Sequence, residues 1–131
     1  MPSKLFFLLF IIFSAQDSTS FKEGFYFPRE DGLCYIEKGH LVISKRTKNS
    51  FEFYIRVANK GGIGEIEGKA DLWDTSYASA RIAVDLVEEP DEWTRVEFSI
   101  TPDRKWIHIT TENSTWWHGA QVCFDGFYRK R

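Results

Sequence analysis

The sequence predicts an all-β domain, a small antiparallel meander of about eight strands closed into a barrel, with a β-sandwich as the alternative. Three observations predict it. Apolar and polar residues alternate with period two along much of the chain. Short clusters rich in Gly, Pro, Asn and Asp separate the alternating runs. Similar aromatic segments stand at the two ends of the predicted domain, Gly24-Phe25-Tyr26 and Gly126-Phe127-Tyr128, so their pairing would remove both sheet edges.

The chain opens differently from the rest. Lys4 is followed by nine unbroken apolar residues, Leu5 to Phe13, and then by small and polar residues to Ser20. This is the pattern of a secretory signal peptide. It divides the chain into a leader, 1–20, and a single β-barrel domain, 21–131. Ser18 and Ser20 suit the two small-residue positions before a cut at Phe21, and a cut after Ser14 or Ala15 is the alternative. The apolar run is far shorter than the roughly 20 residues that span a bilayer, so no stable membrane anchor is expected. The expected location is secreted or periplasmic.

From Phe51 to Val57 the apolar positions are 51, 53, 55 and 57, which reads as a strand with one face inward. Asn59-Lys60-Gly61-Gly62 is a hairpin signal. Ile66, Gly68, Ala70 and Leu72 then alternate with Glu65, Glu67, Lys69 and Asp71. Asp74 to Ser76 turns the chain into a run with Ala78, Ala80, Ile82, Val84 and Leu86 inward. This turn sets Leu72 near Ala78 and Ala70 near Ala80. Glu88 to Glu92 breaks that run with Pro90. Val96, Phe98 and Ile100 follow, then the turn Thr101 to Lys105, then Ile107 and Ile109. Asn113 to Gly119 is a longer loop before the last strand.

Small residues on both arms of the 65–86 hairpin leave room inside the barrel. Either Phe and Trp side chains from the opposite wall fill that room, or a calycin-like cavity holds a small apolar ligand.

Composition narrows the function. The chain is 43% hydrophobic and 17% aromatic, which excludes a disordered chain. The net charge is -2, and loss of the leader removes one cation, Lys4, and one anion, Asp17, leaving it unchanged. A nucleic-acid partner is therefore not expected. The two cysteines, Cys34 and Cys123, read as one disulfide in an oxidising compartment or as two buried thiols. His40, His108 and His118 lack metal-ligand spacing, and no CxxC, HExxH or GxSxG occurs, so neither a cofactor nor an enzyme is expected. Glu65 and Glu67 share a strand face with Lys69 and Asp71, which reads as a solvated exterior rather than a carboxylate pair.

Two segments stand out as candidate partner-binding residues. Trp116, Trp117 and His118 lie in a loop, where tryptophan is a common binding anchor. The alternative for that loop is that one indole plugs the barrel end and the other covers the rim. Glu88, Glu89, Asp91 and Glu92 put four carboxylates in five positions, a local negative field for steering a cationic partner. Asn113-Ser114-Thr115 also fits an N-glycosylation acceptor.

The stretch from Gly64 to Ala70 (GEIEGKA), Tyr77, and the run Phe124-Asp125-Gly126-Phe127-Tyr128-Arg129 together resemble a group of small exported bacterial proteins similar to periplasmic lysozyme inhibitors. The resemblance spans residues 24–129. It implies a small antiparallel barrel, and an inhibitor or immunity protein whose partner is a secreted lysozyme-type hydrolase.

Overall fold

A computed structural model describes residues 20–30, 36–83, 93–118 and 122–131, with the side chain of Trp116 left out. Residues 1–19, where the leader is expected, Cys34, and Glu88, Glu89, Asp91 and Glu92 lie outside the described residues. The strands are β1 (Gly24–Pro28), β2 (Lys38–Ser44), β3 (Ser50–Asn59), β4 (Gly62–Leu72), β5 (Tyr77–Ala83), β6 (Trp93–Ile100), β7 (Ile107–Glu112) and β8 (Gly126–Arg129). They pair in sequence order, every neighbour antiparallel, and β8 returns to β1 to close the barrel. The only helical element among the described residues is one 3₁₀ turn, Thr115–Trp117.

Period-two patterning does what it predicts. Phe51, Phe53, Ile55 and Val57 on β3, Val96 and Phe98 on β6, and Ile107 and Ile109 on β7 are all buried. The β4–β5 turn sets the expected register, with Leu72 opposite Ala78. Around the small-residue patch, Phe98 meets Phe51 and Phe53 edge-on at ring separations of 5.3 and 4.9 Å. Phe51 pairs with Ala70, Phe53 with Gly68 and Phe98 with Ala78, so large residues stand beside small ones and the rings occupy the space they leave. The small-residue patch is therefore filled by side chains, which removes the motive for a ligand cavity there.

The ladder between β4 and β5 stops after Asp71–Ser79 and Leu72–Ala78, and the strands diverge above it. Ile82 leans across the seam: a Cβ added to Gly68 would lie 3.1 Å from its Cδ1. Higher up, His118 forms an isolated bridge with Gly64 and covers the β4 edge.

Closure uses the repeated Gly-Phe-Tyr segments twice over. Phe27 pairs with Arg129 and Pro28 with Tyr128, and the Arg29 N–H donates to the Phe127 carbonyl at 2.8 Å. Gly24 and Gly126 both take positive φ, 141° and 153°, which a side chain would strain. Two residues after each glycine, a buried tyrosine hydroxyl donates four residues back: Tyr26 to the Lys22 carbonyl at 2.6 Å and Tyr128 to the Phe124 carbonyl at 2.7 Å. Each strand thus begins with the same tyrosine-anchored kink.

Burial makes these phenols hard to ionise. Desolvation pushes Tyr26 up to about 12, and desolvation reinforced by the Asp125 carboxylate raises Tyr128 further. Both are neutral in the fold while their unfolded counterparts ionise near 10, so their stabilisation is intact below pH 10 and is lost as pH climbs through 10 towards 12. Urea midpoints followed by circular dichroism are expected to fall over that window, and to fall less steeply in the Tyr26→Phe/Tyr128→Phe variant.

The barrel end that carries Ser20 and the C-terminal residues is plugged by Phe21. It is buried, adopts φ 50° and stacks on Phe51 at 5.2 Å. Arg46 holds the plug by donating from Nε to the Ser20 carbonyl at 3.1 Å and from Nη2 to the Ser20 hydroxyl at 3.4 Å. Towards the opposite end, Ile36, Val122 and Phe124 complete the core.

Candidate functional site

The end opposite Phe21 is built around the buried hydroxyl of Thr94. It donates to the Asn113 carbonyl at 2.6 Å and accepts from Trp117 Nε1 at 2.7 Å. The Asn113 amide donates in turn to the Trp93 carbonyl at 3.2 Å. Asn113 sits at φ 57°, a left-handed conformation that asparagine tolerates, which tucks the 3₁₀ turn back over the rim. Ser114 Oγ lies 3.2 Å from His118 Nε2, and the His118 ring packs edge-on against Phe124 at 5.4 Å.

Two of the predicted loop anchors therefore have internal partners. Trp117 and His118 are half-buried and hold the rim together. The histidines are dispersed: His108 stacks flat on Phe127 at 4.3 Å, and His40 lies between Phe25 and Tyr54. The close approach at Gly64 makes the rim testable. A Cβ there would sit 2.7 Å from His118 Cβ. Gly64→Ala is expected to displace His118 and cost about 1–3 kcal/mol, read as a drop in thermal midpoint, while Gly61→Ala in the exposed turn serves as the control.

Among the described residues, the exposed large apolar ones are Phe25, Ile63, Trp73 and Trp93. Trp73 is 72% exposed, and its Nε1 donates to the Ser79 hydroxyl at 2.7 Å across the β4–β5 turn. Trp93 is 42% exposed at the first residue of β6, directly after the acidic run, with the Arg81 guanidinium 4.9 Å from its ring centre. This indole was not singled out from the sequence. Its position after Glu92 was the available signal.

A second surface lies along the outer wall of β1 and β8 and the turn before β7. Trp106 stands between two guanidinium groups, Arg129 at 4.5 Å and Arg29 at 5.9 Å from its ring centre. Arg131 lies 4.3 Å from the Phe27 ring centre, and the Lys130 amine 5.5 Å from that of Tyr26. Two concavities share Trp106 and Arg129: one of about 390 Å³ towards Lys22, Arg104 and Lys105, and one of about 550 Å³ towards Arg29 and Arg131. Among the described residues, Glu30 is the only one with a carboxylate side chain lining either of them. Nearby Asp103 is turned to its own loop. Its carboxylate accepts from the Thr101 hydroxyl at 2.5 Å and from the Lys105 N–H at 3.1 Å, and these bonds hold its pKa below the ordinary value.

Comparison with known protein families, curated proteins and solved structures finds no match to this chain.

Proposed function

We propose that the chain is a secreted, non-enzymatic binding protein, an inhibitor or immunity protein that engages a cationic lysozyme-type hydrolase through the sequence segment 84–93. The observation that carries the reading is Trp93, an exposed indole at the head of β6 directly after Glu88, Glu89, Asp91 and Glu92. An aromatic anchor that directly follows four carboxylates in the sequence suits a cationic cleft. The indole supplies buried contact area, and the carboxylates speed encounter and oppose wrong partners. A filled barrel interior supports recognition on the outside.

The test is inhibition of a panel of peptidoglycan hydrolases by the purified chain. Trp93→Ala is expected to weaken inhibition about 30-fold, the size of a hot-spot loss. Neutralising the four carboxylates should weaken it further and flatten its salt dependence. Absence of both inhibition and binding across the panel overturns the reading.

Two expectations about maturation belong to the same proposal. A Cys34–Cys123 disulfide is supported by the absence of any free cysteine among the described residues and by there being only two cysteines in the chain. Cleavage upstream of Ser20, after Ser14 or Ala15, is supported by the Arg46 bonds to the Ser20 carbonyl and hydroxyl. A cut at Phe21 would delete both acceptors and set a new ammonium group near Arg46. Intact mass of the secreted form distinguishes the cuts.

A further inference from the structure

The geometry points to a binding track for a polyanionic glycan, a sugar chain bearing sulfate or carboxylate groups, along the outer wall of β1 and β8. This wall is separate from the proposed hydrolase surface and carries the opposite sign of charge.

The chain as a whole is negative, at -2, yet the two concavities around Trp106 gather Lys22, Arg104, Lys105, Arg129, Lys130 and Arg131. All of these are exposed. The ion pairs among the described residues are Lys45–Glu52, Arg56–Glu65 and Arg95–Glu97, and none draws on these six cations. Lys130 donates only to a backbone carbonyl, that of Glu23, at 2.9 Å. Concentrating like charges costs self-repulsion unless an anion relieves it. A concave wall also focuses the positive potential on whatever enters it.

The aromatic residues decide which anion fits. Trp106 is flanked by Arg129 and Arg29, Phe27 is covered by Arg131, and Phe127 is stacked on His108. Single-stranded nucleic acid is held by bases stacked on open aromatic faces, and here guanidinium and imidazole groups already take those places. The rings serve instead to hold the Arg129 and Arg131 guanidinium planes, whose N–H groups suit paired contacts to sulfate or carboxylate. Both concavities share the Trp106–Arg129 ridge, so the cations form a succession suited to an extended chain with repeated charges rather than to one isolated anion. A lipid surface fits less well, because the wall is recessed and Phe25 is its one exposed large apolar side chain.

Isothermal titration of the purified chain with heparin oligosaccharide, oligogalacturonate, neutral dextran, charge-matched oligodeoxythymidylate and anionic vesicles tests this. The expected result is binding of one or both charged glycans that weakens as salt rises, with no binding of dextran. The two glycan arms separate sulfate from carboxylate. Arg129→Gln/Arg131→Gln is expected to weaken glycan binding about tenfold, at roughly threefold for each lost anion contact. Lys22→Gln/Lys105→Gln reads the same track from its other end and should weaken it similarly. Lys60→Gln/Lys69→Gln, on the β3–β4 hairpin, should leave it unchanged. The proposal is overturned by equal loss in the hairpin control, by no loss in either track variant, by dextran binding, by no glycan binding, or by tighter binding of the oligonucleotide or vesicles.

Discussion

Phe98→Ala is expected to cost about 3–5 kcal/mol, a large share of the 5–15 kcal/mol that typically holds a domain of this size. Phe98 is fully buried and is the ring that both Phe51 and Phe53 contact edge-on. Its neighbours across the ladders, Ala78 and Ile109, cannot extend into the space it would vacate. Truncation thus leaves a cavity as well as losing apolar burial. Phe25→Ala, at a 60% exposed position on the outer wall, is expected to change stability by less than about 1 kcal/mol. Urea unfolding followed by tryptophan fluorescence compares the two. A Phe98→Ala cost no larger than that of Phe25→Ala would mean that the rings do not fill the barrel.

The second large effect concerns the proposed Cys34–Cys123 bridge. It would close a loop of nearly the whole domain, and the chain-entropy model gives about 4 kcal/mol for a loop of that length. Reduction, or Cys123→Ser, is expected to lower the thermal midpoint by well over 10 °C for a domain of this size. Cys123 is itself half-buried against the core, so part of the loss in the serine variant would come from packing. Comparing the variant with the reduced wild-type chain separates the two terms. Equal midpoints for the oxidised and reduced wild type would leave the bridge without a structural role.

The barrel was legible because its strands alternate cleanly. Phe51 to Val57 and Val96 to Ile100 name their own inward faces, and the short Asp74–Ser76 turn dictates the Leu72–Ala78 register. The pairing of the chain ends followed from the repeated Gly-Phe-Tyr segments, although the register is offset, Phe27 against Arg129. The Phe21 plug was not legible, since it precedes the first strand and takes a positive φ that no pattern announces. The rim was half legible: two adjacent tryptophans marked it, but the Thr94 hydroxyl that engages Trp117 comes from a strand 23 residues away.

The cationic track was hidden for a related reason. Arg29, Trp106 and Arg129 are far apart in sequence, and only barrel closure brings them together. The run Arg129-Lys130-Arg131 reads alone as a solvated strand end. The missed signal was the outward phase of the same alternation, with Phe25, Phe27 and Arg29 on one terminal strand facing the same side as Phe127, Arg129 and Arg131 on the other.

The two proposed surfaces carry opposite charge, an acidic segment that follows β5 in the sequence and a basic wall along β1 and β8. Hydrogen–deuterium exchange of the chain with and without an inhibited hydrolase tests whether the partner is recognised at the acidic segment. Protection over residues 84–93 with the Trp106 wall unchanged is the expected result; protection confined to the wall, or none at 84–93, would overturn that recognition.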